Sequence, residues 1–320
     1  WQRGGWKIHL SGADNLVPEL QEYYRTNTFG QFDDDVIGVQ NNGHSIVVTG
    51  CAELPAEQSE ARLIGRNLNG CRIGFDLGGS DRKAAAVVDG EVKFSEEIAW
   101  DPYFEPDPNY HYEGIMNSLR RAAEHLPRVD AIGGSAAGCY SHNKVTWASL
   151  FRGVEPEDFD AHVRDIFTRI AAEWNVPLEV LNDGEVTALA GSMALGKNGV
   201  LGIAMGTSQG GGYIDMDGNI TTWLSELAFA PVDMHPDAPA DEWSGDLGCG
   251  AQYFSQQAVG RLLPASGIEY DKTLKLPEQL KIVQALMEQG DERALKIYDA
   301  IGIYLGYSLA QYAEFYDYEY

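Results

Sequence analysis

A glycine turn that follows an aspartate at the end of an apolar segment is the first feature of this sequence that suggests chemistry. Asp76 closes the segment, Gly78, Gly79 and Ser80 follow it, and Lys83 precedes a second apolar run. Because glycine has no Cβ atom, the backbone of such a turn can approach a ligand closely, and its successive N–H groups can form a concave anion site. The turn therefore predicts a phosphate site. A plain hairpin turn between two strands is the alternative, and a second phosphate turn along the chain favours the first interpretation.

A second turn of this kind lies at residues 206–212, after the apolar segment 199–205. It contains Gly206, Thr207 and Ser208 and then three glycines, and residues 213–215 return as a strand toward an Asp-Gly turn. The plan of strand, glycine turn and strand at residues 71–98 is thus repeated. Two such units predict duplicated α/β lobes with a nucleotide site in the cleft between them.

A carboxylate suited to general-base catalysis lies between the two turns. Asp183 follows Asn182 at the end of the short apolar segment 178–181, and an alanine-rich helix is expected at residues 186–195. A positioned carboxylate can take a proton from an attacking hydroxyl group. The alternative is that the pair only caps the helix, because Asn and Asp are favoured N-cap residues.

Hydrophobic periodicity predicts the elements that would position these side chains. Strands are expected at residues 71–77, 84–88, 91–98, 129–132, 178–181 and 199–205. Helices are expected around residues 115–126, from near Pro156 to before Pro177, and at 186–195, 253–263, 277–289 and 291–316. A third glycine-rich turn at residues 133–138 follows a strand end, where ligands of α/β proteins gather.

Residues 1–70 carry no functional signal. Asn42 and Gly43 lie between the apolar segments 36–39 and 46–48 and predict a type I′ hairpin, and residues 55–68 predict a short helix.

The composition limits the class of protein. The 320 residues include 48 acidic and 23 basic side chains, a net charge of -25 that disfavours binding to nucleic acids and to anionic membranes. The four cysteines lack the spacing of a zinc site or of a disulfide scaffold, and no apolar run reaches the length of a membrane span. These features predict a cytoplasmic protein with reduced thiols.

Three ordered motifs over residues 71–263 resemble the ROK family (repressor, open reading frame, kinase) of the actin-like ATPase and sugar kinase superfamily. The motifs are Asp76-Leu77-Gly78-Gly79-Ser80, the pair Asn182-Asp183 before a helix of small residues, and Met205-Gly206-Thr207 with the glycines at 210–212. The resemblance implies a two-lobed α/β fold of the actin-like ATPase (ribonuclease H-like) type. The expected domains are an N-terminal extension of unknown role at residues 1–70, a first lobe at 71–181 and a second lobe at 182–320.

The resemblance also implies a sugar kinase that uses ATP and Mg²⁺. Asp183 would be the general base, and Asp76 would hold Mg²⁺ through water. The implied phosphate ligands are Gly78, Gly79, Ser80, Lys83, Gly206, Thr207 and Ser208, with a solvent-exposed strand lysine as the alternative for Lys83. The implied substrate ligands are Asn182, Gly138 and Glu226.

Several positions depart from the family pattern. Phe229 replaces the histidine of the family's zinc site, Cys249 is the remaining cysteine of that site, and Ala251 replaces a second sugar-binding glutamate. Glu185 replaces a second asparagine after Asp183. Because zinc needs several N or S ligands at once, we expect no zinc. Loop residues near this region that are candidates for substrate contact, or for ordinary surface polarity, are His142, Asn143, His235 and Asp246.

The expected function is thus ATP-dependent phosphorylation of a sugar or polyol hydroxyl. The alternatives are a sugar- or nucleotide-binding regulatory protein that has lost the chemistry, and an ATPase that activates another enzyme. No nucleic acid or membrane partner is expected, and a homodimer is left open. The adenine-binding residues of the family would follow Tyr320, which suggests that the sequence is a fragment.

Overall fold

The computed structural model describes residues 1–56 and 60–320. The strands are β1 (Lys7–Leu10), β2 (Val47–Gly50), β3 (Ala61–Arg62), β4 (Cys71–Leu77), β5 (Asp81–Val88), β6 (Glu91–Ala99), β7 (Ala131–Ala136), β8 (Cys139–Ser141), β9 (Lys144–Trp147), β10 (Leu178–Asn182), β11 (Val200–Met205), β12 (Gln209–Ile214) and β13 (Ile220–Thr221). The α-helices are α1 (Val17–Thr26), α2 (Thr28–Asp33), α3 (Pro108–Ala123), α4 (Pro156–Asp158), α5 (Ile166–Trp174), α6 (Asp183–Leu195), α7 (Gln256–Leu262), α8 (Leu276–Glu288) and α9 (Glu292–Tyr312). Segments of π-helix at Asp34–Asn41 and Phe159–Val163 continue α2 and α4.

Within residues 1–56 and 60–320, no helix combines the length and the apolar character that a membrane span needs.

The packing of the chain defines two compact units. The first comprises Trp1–Val39, His44–Leu63 and Thr187–Tyr320, and the second comprises Gln40–Gly43 and Ile64–Val186. The mixed α/β architecture expected from the sequence is confirmed. The expected boundaries at residues 70 and 181 stay a prediction.

The second unit is built on a five-stranded sheet in the order β10-β7-β4-β5-β6. β10, β7 and β4 are parallel, whereas β4, β5 and β6 run antiparallel as the sequence predicts. Alternate side chains of β4 are buried, among them Ile73, Phe75 and Leu77, because successive residues of a strand face opposite sides of the sheet. Phe75 stacks on Phe167 of α5, with ring centroids 5.8 Å apart.

The glycine-rich segment at residues 133–138 differs from the prediction. β7 continues to Ala136, four residues past the expected strand end at residue 132, because it pairs with both β4 and β10. A Cβ atom on Gly134 would lie 1.9 Å from the ring of Phe75. The glycine therefore makes room for a core side chain, and the turn begins only at Ala137 and Gly138.

The first unit contains a four-stranded antiparallel sheet in the order β11-β12-β13-β3. The glycines at 210–212 lie inside β12 and not in a turn. A Cβ atom on Gly211 would lie 2.5 Å from Leu227, so this glycine allows residues 225–227 to cross the strand closely. The predicted C-terminal helices are confirmed as α7, α8 and α9, which pack around Phe254, Val283 and Ile297.

The predicted hairpin around Asn42 and Gly43 is wrong. Residues 34–41 form a π-helical segment that buries Val36 and Ile37, and β2 pairs in parallel with β1. A four-residue apolar run fits a strand and a helical turn equally well, and packing against the rest of the unit decides between them. Gly43 does keep the positive φ of a turn residue, +72°.

The predicted helix at residues 55–68 is also wrong where the structure describes it, because Ala61–Arg62 is a strand that pairs with β13. Glu57, Gln58 and Ser59 of that prediction lie outside the described residues.

Candidate functional site

The carboxyl ends of three parallel strands lie level with one another in the sheet of the second unit. Asp76 of β4 is in register with Ser135 of β7, which is in register with Leu181 of β10. The turn after Leu77, the turn at Gly138 and the start of α6 therefore leave the sheet at one edge. This is the edge where ligands bind in open α/β sheets.

The first glycine turn is a tight hairpin between β4 and β5. The amide of Gly78 donates to the carbonyl of Asp81 (2.9 Å), and the hydroxyl of Ser80 donates to the Asp81 carboxylate (2.8 Å). The amides of Gly79 and Ser80 donate no hydrogen bond within the described chain. In the first turn, these two amides can therefore donate to a phosphate group. The Gly78 amide already donates to the Asp81 carbonyl within the turn.

Lys83 lies between two carboxylates. Its Nζ atom is 2.9 Å from Asp81 Oδ1 and 3.4 Å from Asp76 Oδ2, and its side chain is 47% exposed. The contact with Asp81 raises the pKa of Lys83 and lowers the pKa of the Asp81 carboxyl. Lys83 is therefore a paired surface lysine in this conformation. Asp81 was not among the predicted site residues, although residues two apart on a strand share a face and the Asp81–Lys83 spacing is a usable signal.

Asp183 is the first residue of α6, and its neighbours cap that helix. Asn182 Oδ1 accepts the N–H of Gly184 (2.8 Å), and the N–H of Asn182 donates to Glu185 Oε2 (3.0 Å). These reciprocal bonds form a capping box. Helix capping, the alternative role predicted for the Asn182-Asp183 pair, is thus carried mainly by Asn182 and Glu185, and Asp183 Oδ1 also accepts the Gly184 N–H (2.9 Å). Glu185 closes the box at the position where the family pattern has asparagine.

The environment of Asp183 favours the protonated form of its carboxyl. Partial desolvation by neighbouring protein atoms raises the pKa of the carboxyl, although the residue as a whole is exposed. The negative charge of Asp76 raises the pKa further, whereas the Gly184 N–H, 2.9 Å from Oδ1, opposes the shift. A raised pKa makes the carboxylate a stronger proton acceptor.

Asn182 and Gly138, both predicted substrate ligands, bind one another. Asn182 Nδ2 donates to the Gly138 carbonyl (2.8 Å). Gly138 has φ +131°, and a Cβ atom there would lie 2.3 Å from the Cβ of Ala148. Nearby, the Asn143 side chain donates to the Leu178 carbonyl and so extends the edge of β10. These residues position the loops around Asp183.

Trp100 and Tyr103, which were not among the predicted site residues, contact the first glycine turn. Trp100 Nε1 donates to the Gly78 carbonyl (2.7 Å), and the Trp100 amide donates to the Ser80 carbonyl (3.1 Å). A Cβ atom on Gly79 would lie 2.0 Å from the Tyr103 hydroxyl. The aromatic loop that follows β6 was a visible signal, but nothing in its sequence links it to the turn.

The second predicted turn lies in the first unit, between β11 and β12. Gly206, Thr207 and Ser208 are exposed, and the Gly206 amide donates to the Ser208 carbonyl (2.9 Å). The amide of Gln256, at the start of α7, donates to the Gly206 carbonyl (3.0 Å). The structure thus presents the hydroxyl groups of Thr207 and Ser208 to solvent on an anchored turn.

Glu226, the predicted sugar ligand, is half-buried beside the N-terminal residues. Its amide donates to the Trp1 carbonyl (3.1 Å), and the Ser225 amide donates to the Gln2 carbonyl (3.0 Å). The N-terminal segment that carried no functional signal therefore packs along the predicted sugar segment.

An aromatic cluster surrounds Phe229, which holds the histidine position of the family's zinc site. The Phe229 ring lies 4.7 Å from Trp1, 5.6 Å from Phe32 and 5.8 Å from Trp243. Cys249 is fully buried, and burial raises the pKa of its thiol to about 12. Among residues 1–56 and 60–320, no group of three His, Cys, Asp or Glu side chains could hold a metal ion. The absence of zinc stays a prediction.

Comparison with known proteins adds three findings. The model of the ROK family matches residues 72–320. No curated protein matches the chain. Many solved structures do match it.

One similar structure is a ROK family glucokinase from Streptomyces griseus in complex with glucose and AMPPNP, at 21% identity and TM-score 0.60, covering 78% of this chain and 80% of that chain. Another is a ROK hexokinase from Thermus thermophilus, at 19% identity and TM-score 0.56. The match covers 76% of this chain and 78% of that chain. A ROK family transcriptional regulator, a homolog of the E. coli MLC protein, matches at 18% identity and TM-score 0.62. This match covers 78% of this chain and 64% of that chain.

Proposed function

Because this chain belongs to the ROK family, we propose that it is a sugar kinase, which transfers the γ-phosphoryl group of ATP to a sugar hydroxyl with Asp183 as the general base. The observation that carries this proposal is the capping box at the start of α6. Asn182 and Glu185 form the box, and Asp183 Oδ1 shares the Gly184 amide with Asn182 (2.9 Å), so the helix end does not depend on Asp183 alone. Its carboxylate lies at the ligand-binding edge of the sheet with a raised pKa.

In the proposed reaction, Asp183 accepts the proton of the sugar hydroxyl as its oxygen attacks the γ-phosphorus atom, and ADP leaves. The amides of Gly79 and Ser80 would donate to the phosphate oxygens. Catalysis of phosphoryl transfer rests mainly on such positioning and on neutralisation of charge.

The proposed divalent cation fits the residues at the first turn. Asp76 is 40% exposed and its charge disfavours ionisation of Asp183, so a cation near Asp76 would relieve this repulsion. When bound, Mg²⁺ would be held through water by Asp76 and would supply positive charge toward the phosphate groups.

A panel of hexoses and N-acetylhexosamines with MgATP tests the proposal. We expect at least one sugar to raise the melting temperature, since a ligand that binds only the folded state stabilises it, and the same sugar to cause ADP release. If every sugar of the panel leaves both the melting temperature and the ADP level unchanged, the proposal is wrong.

A regulatory protein without catalytic activity is the second candidate. The similarity to the ROK transcriptional regulator and the replacement of family residues by Phe229 and Ala251 favour it. A sugar that stabilises the protein without ADP release would support this candidate, whereas ADP release without any sugar would indicate an ATPase.

A further inference from the structure

A concavity of about 400 Å³ lies outside the edge that carries Asp183, where α3 covers β5 and the end of β6. Arg82 of β5, Trp100 after β6 and Tyr110 of α3 line it. Arg82 follows Asp81 and precedes Lys83, but successive strand residues face opposite sides of the sheet, so its side chain points away from the carboxylates around Lys83.

Arg82 brings a positive charge into this concavity. Its guanidinium donates to Ser118, which is buried, and to Asn117 Oδ1 (3.2 Å). Within the described chain it forms no ion pair, although acidic residues outnumber basic ones 48 to 23. Burial lowers the pKa of Arg82, and the negative charge of Glu96 offsets only part of this shift.

The neighbouring carboxylates are committed elsewhere. Asp107 accepts the Asn109 amide as the N-cap of α3 (2.9 Å), and Glu113 pairs with Arg120 (3.3 Å). Glu96 on β6 pairs with Arg121, at 2.6 Å. An external anion is therefore the partner that Arg82 lacks, and a guanidinium suits a phosphate group because its fork can donate two parallel hydrogen bonds.

The rest of the lining suits a polyhydroxyl ring. Trp100 and Tyr110 stack with centroids 6.4 Å apart, and Tyr110 is exposed, so it offers an aromatic face for the apolar side of a sugar. The exposed amides of Asn109 and Asn117 offer donors and acceptors for hydroxyl groups. A volume of about 400 Å³ is enough for a hexose phosphate.

We propose that this concavity binds a phosphorylated sugar, with Arg82 on the phosphate group and Tyr110, Asn109 and Asn117 on the sugar. The site takes the class of product that the proposed kinase reaction forms, and in that respect it rests on the proposed function. Trp100 couples the site to the first glycine turn, because it lines the concavity and donates to the carbonyls of Gly78 and Ser80.

Calorimetric titration of the full chain with glucose 6-phosphate and with N-acetylmannosamine 6-phosphate, without ATP, tests the site. Gly114 provides the sharpest variant, because a Cβ atom there would lie 3.4 Å from the Trp100 ring and 3.7 Å from Arg82 Nε. Gly114→Asp places a carboxylate beside Arg82, and a helix tolerates Asp better than Gly. We expect it to weaken binding about tenfold or more, and Arg82→Gln to do the same.

Two matched controls accompany these variants. Gly114→Asn adds a side chain of the same size without the charge, and we expect it to weaken binding less than Gly114→Asp does. Arg72→Gln removes an arginine of the adjacent strand whose Nε atom donates to the Asn69 carbonyl (2.8 Å), and we expect unchanged affinity.

The proposal is overturned if neither sugar phosphate binds, if Gly114→Asp binds as tightly as Gly114→Asn, or if inorganic phosphate alone binds as tightly as the sugar phosphates. The two proposals fail separately. Binding that depends on Arg82 in a protein without sugar turnover supports this site and contradicts the kinase, whereas turnover with binding that ignores Arg82 and Gly114 contradicts this site alone.

Discussion

Substitution of Asp183 by asparagine should separate catalysis from stability. Asp183 occupies the first position of α6, where Asn182 and Glu185 form the capping box and Asp183 Oδ1 shares the Gly184 amide with Asn182. Because the Asp183 pKa is raised in the folded protein, the protonated carboxyl stabilises the fold, and this contribution is lost as the pH rises through the folded pKa. At neutral pH the ionised side chain is thus a cost, which Asp183→Asn removes. We expect the free energy of unfolding to stay constant or to increase.

The activity should behave in the opposite way. A positioned general base typically contributes about 10² to 10⁴ in rate, so the kcat of Asp183→Asn should fall by that factor with little change in nucleotide affinity. Asn182→Ala serves as the comparison. It loses the bond to the Gly184 amide and the bond to the Gly138 carbonyl, and should cost about 2 kcal/mol of stability, about 1 kcal/mol for each bond.

The assay combines urea unfolding at pH 7 with ADP release in the presence of a sugar that binds. Glu185→Gln keeps an acceptor for the Asn182 amide, so it should lie between wild type and Asn182→Ala in stability. An Asp183→Asn protein that turns over like wild type would refute the role as base. An Asp183→Asn protein destabilised as much as Asn182→Ala would refute the claim that the ionised Asp183 side chain costs stability.

Two further predictions concern the charge around Asp183 and the aromatic cluster. The apparent pKa of the acid limb in the pH profile of kcat should lie above the ordinary pKa of an aspartate, because the Asp183 pKa is raised. In Asp76→Asn, the acid limb of the residual activity should move to lower pH, because the charge of Asp76 contributes to that raised pKa. An acid limb that does not move would contradict this coupling. Elemental analysis should find no stoichiometric zinc in the wild type, and bound zinc would contradict this. Phe229→His should lose about 2 kcal/mol of unfolding free energy in urea, because an imidazole replaces a buried ring that packs against Trp1. A variant as stable as wild type would argue against the contribution of this ring.

The elements that the sequence predicts correctly are those whose signal is local. β4, α3 and α9 have apolar residues at strand or helix spacing over seven or more residues, and such periodicity survives any tertiary context. The short segments behaved differently. Residues 36–39 were predicted as a strand but are helical, because packing around Val36 decided their conformation. The glycines at 133 and 134 were predicted as part of a turn but belong to β7, where Gly134 makes room for Phe75.

The candidate site shows the same division. The sequence by itself determined which side chains are the candidates for the chemistry. Asp76, the glycine turns and Asp183 are motif residues with local spacing, and their order points to the family. Only the tertiary structure decided what each one does locally, because the partners of a polar group come from residues distant in the chain. Glu185 completes a cap and Trp100 holds the first turn. Trp1 packs on Phe229. In each case the contact partner is distant in the sequence, because a buried ring packs against the side chains, and a buried amide bonds to the acceptors, that the folded chain places beside it.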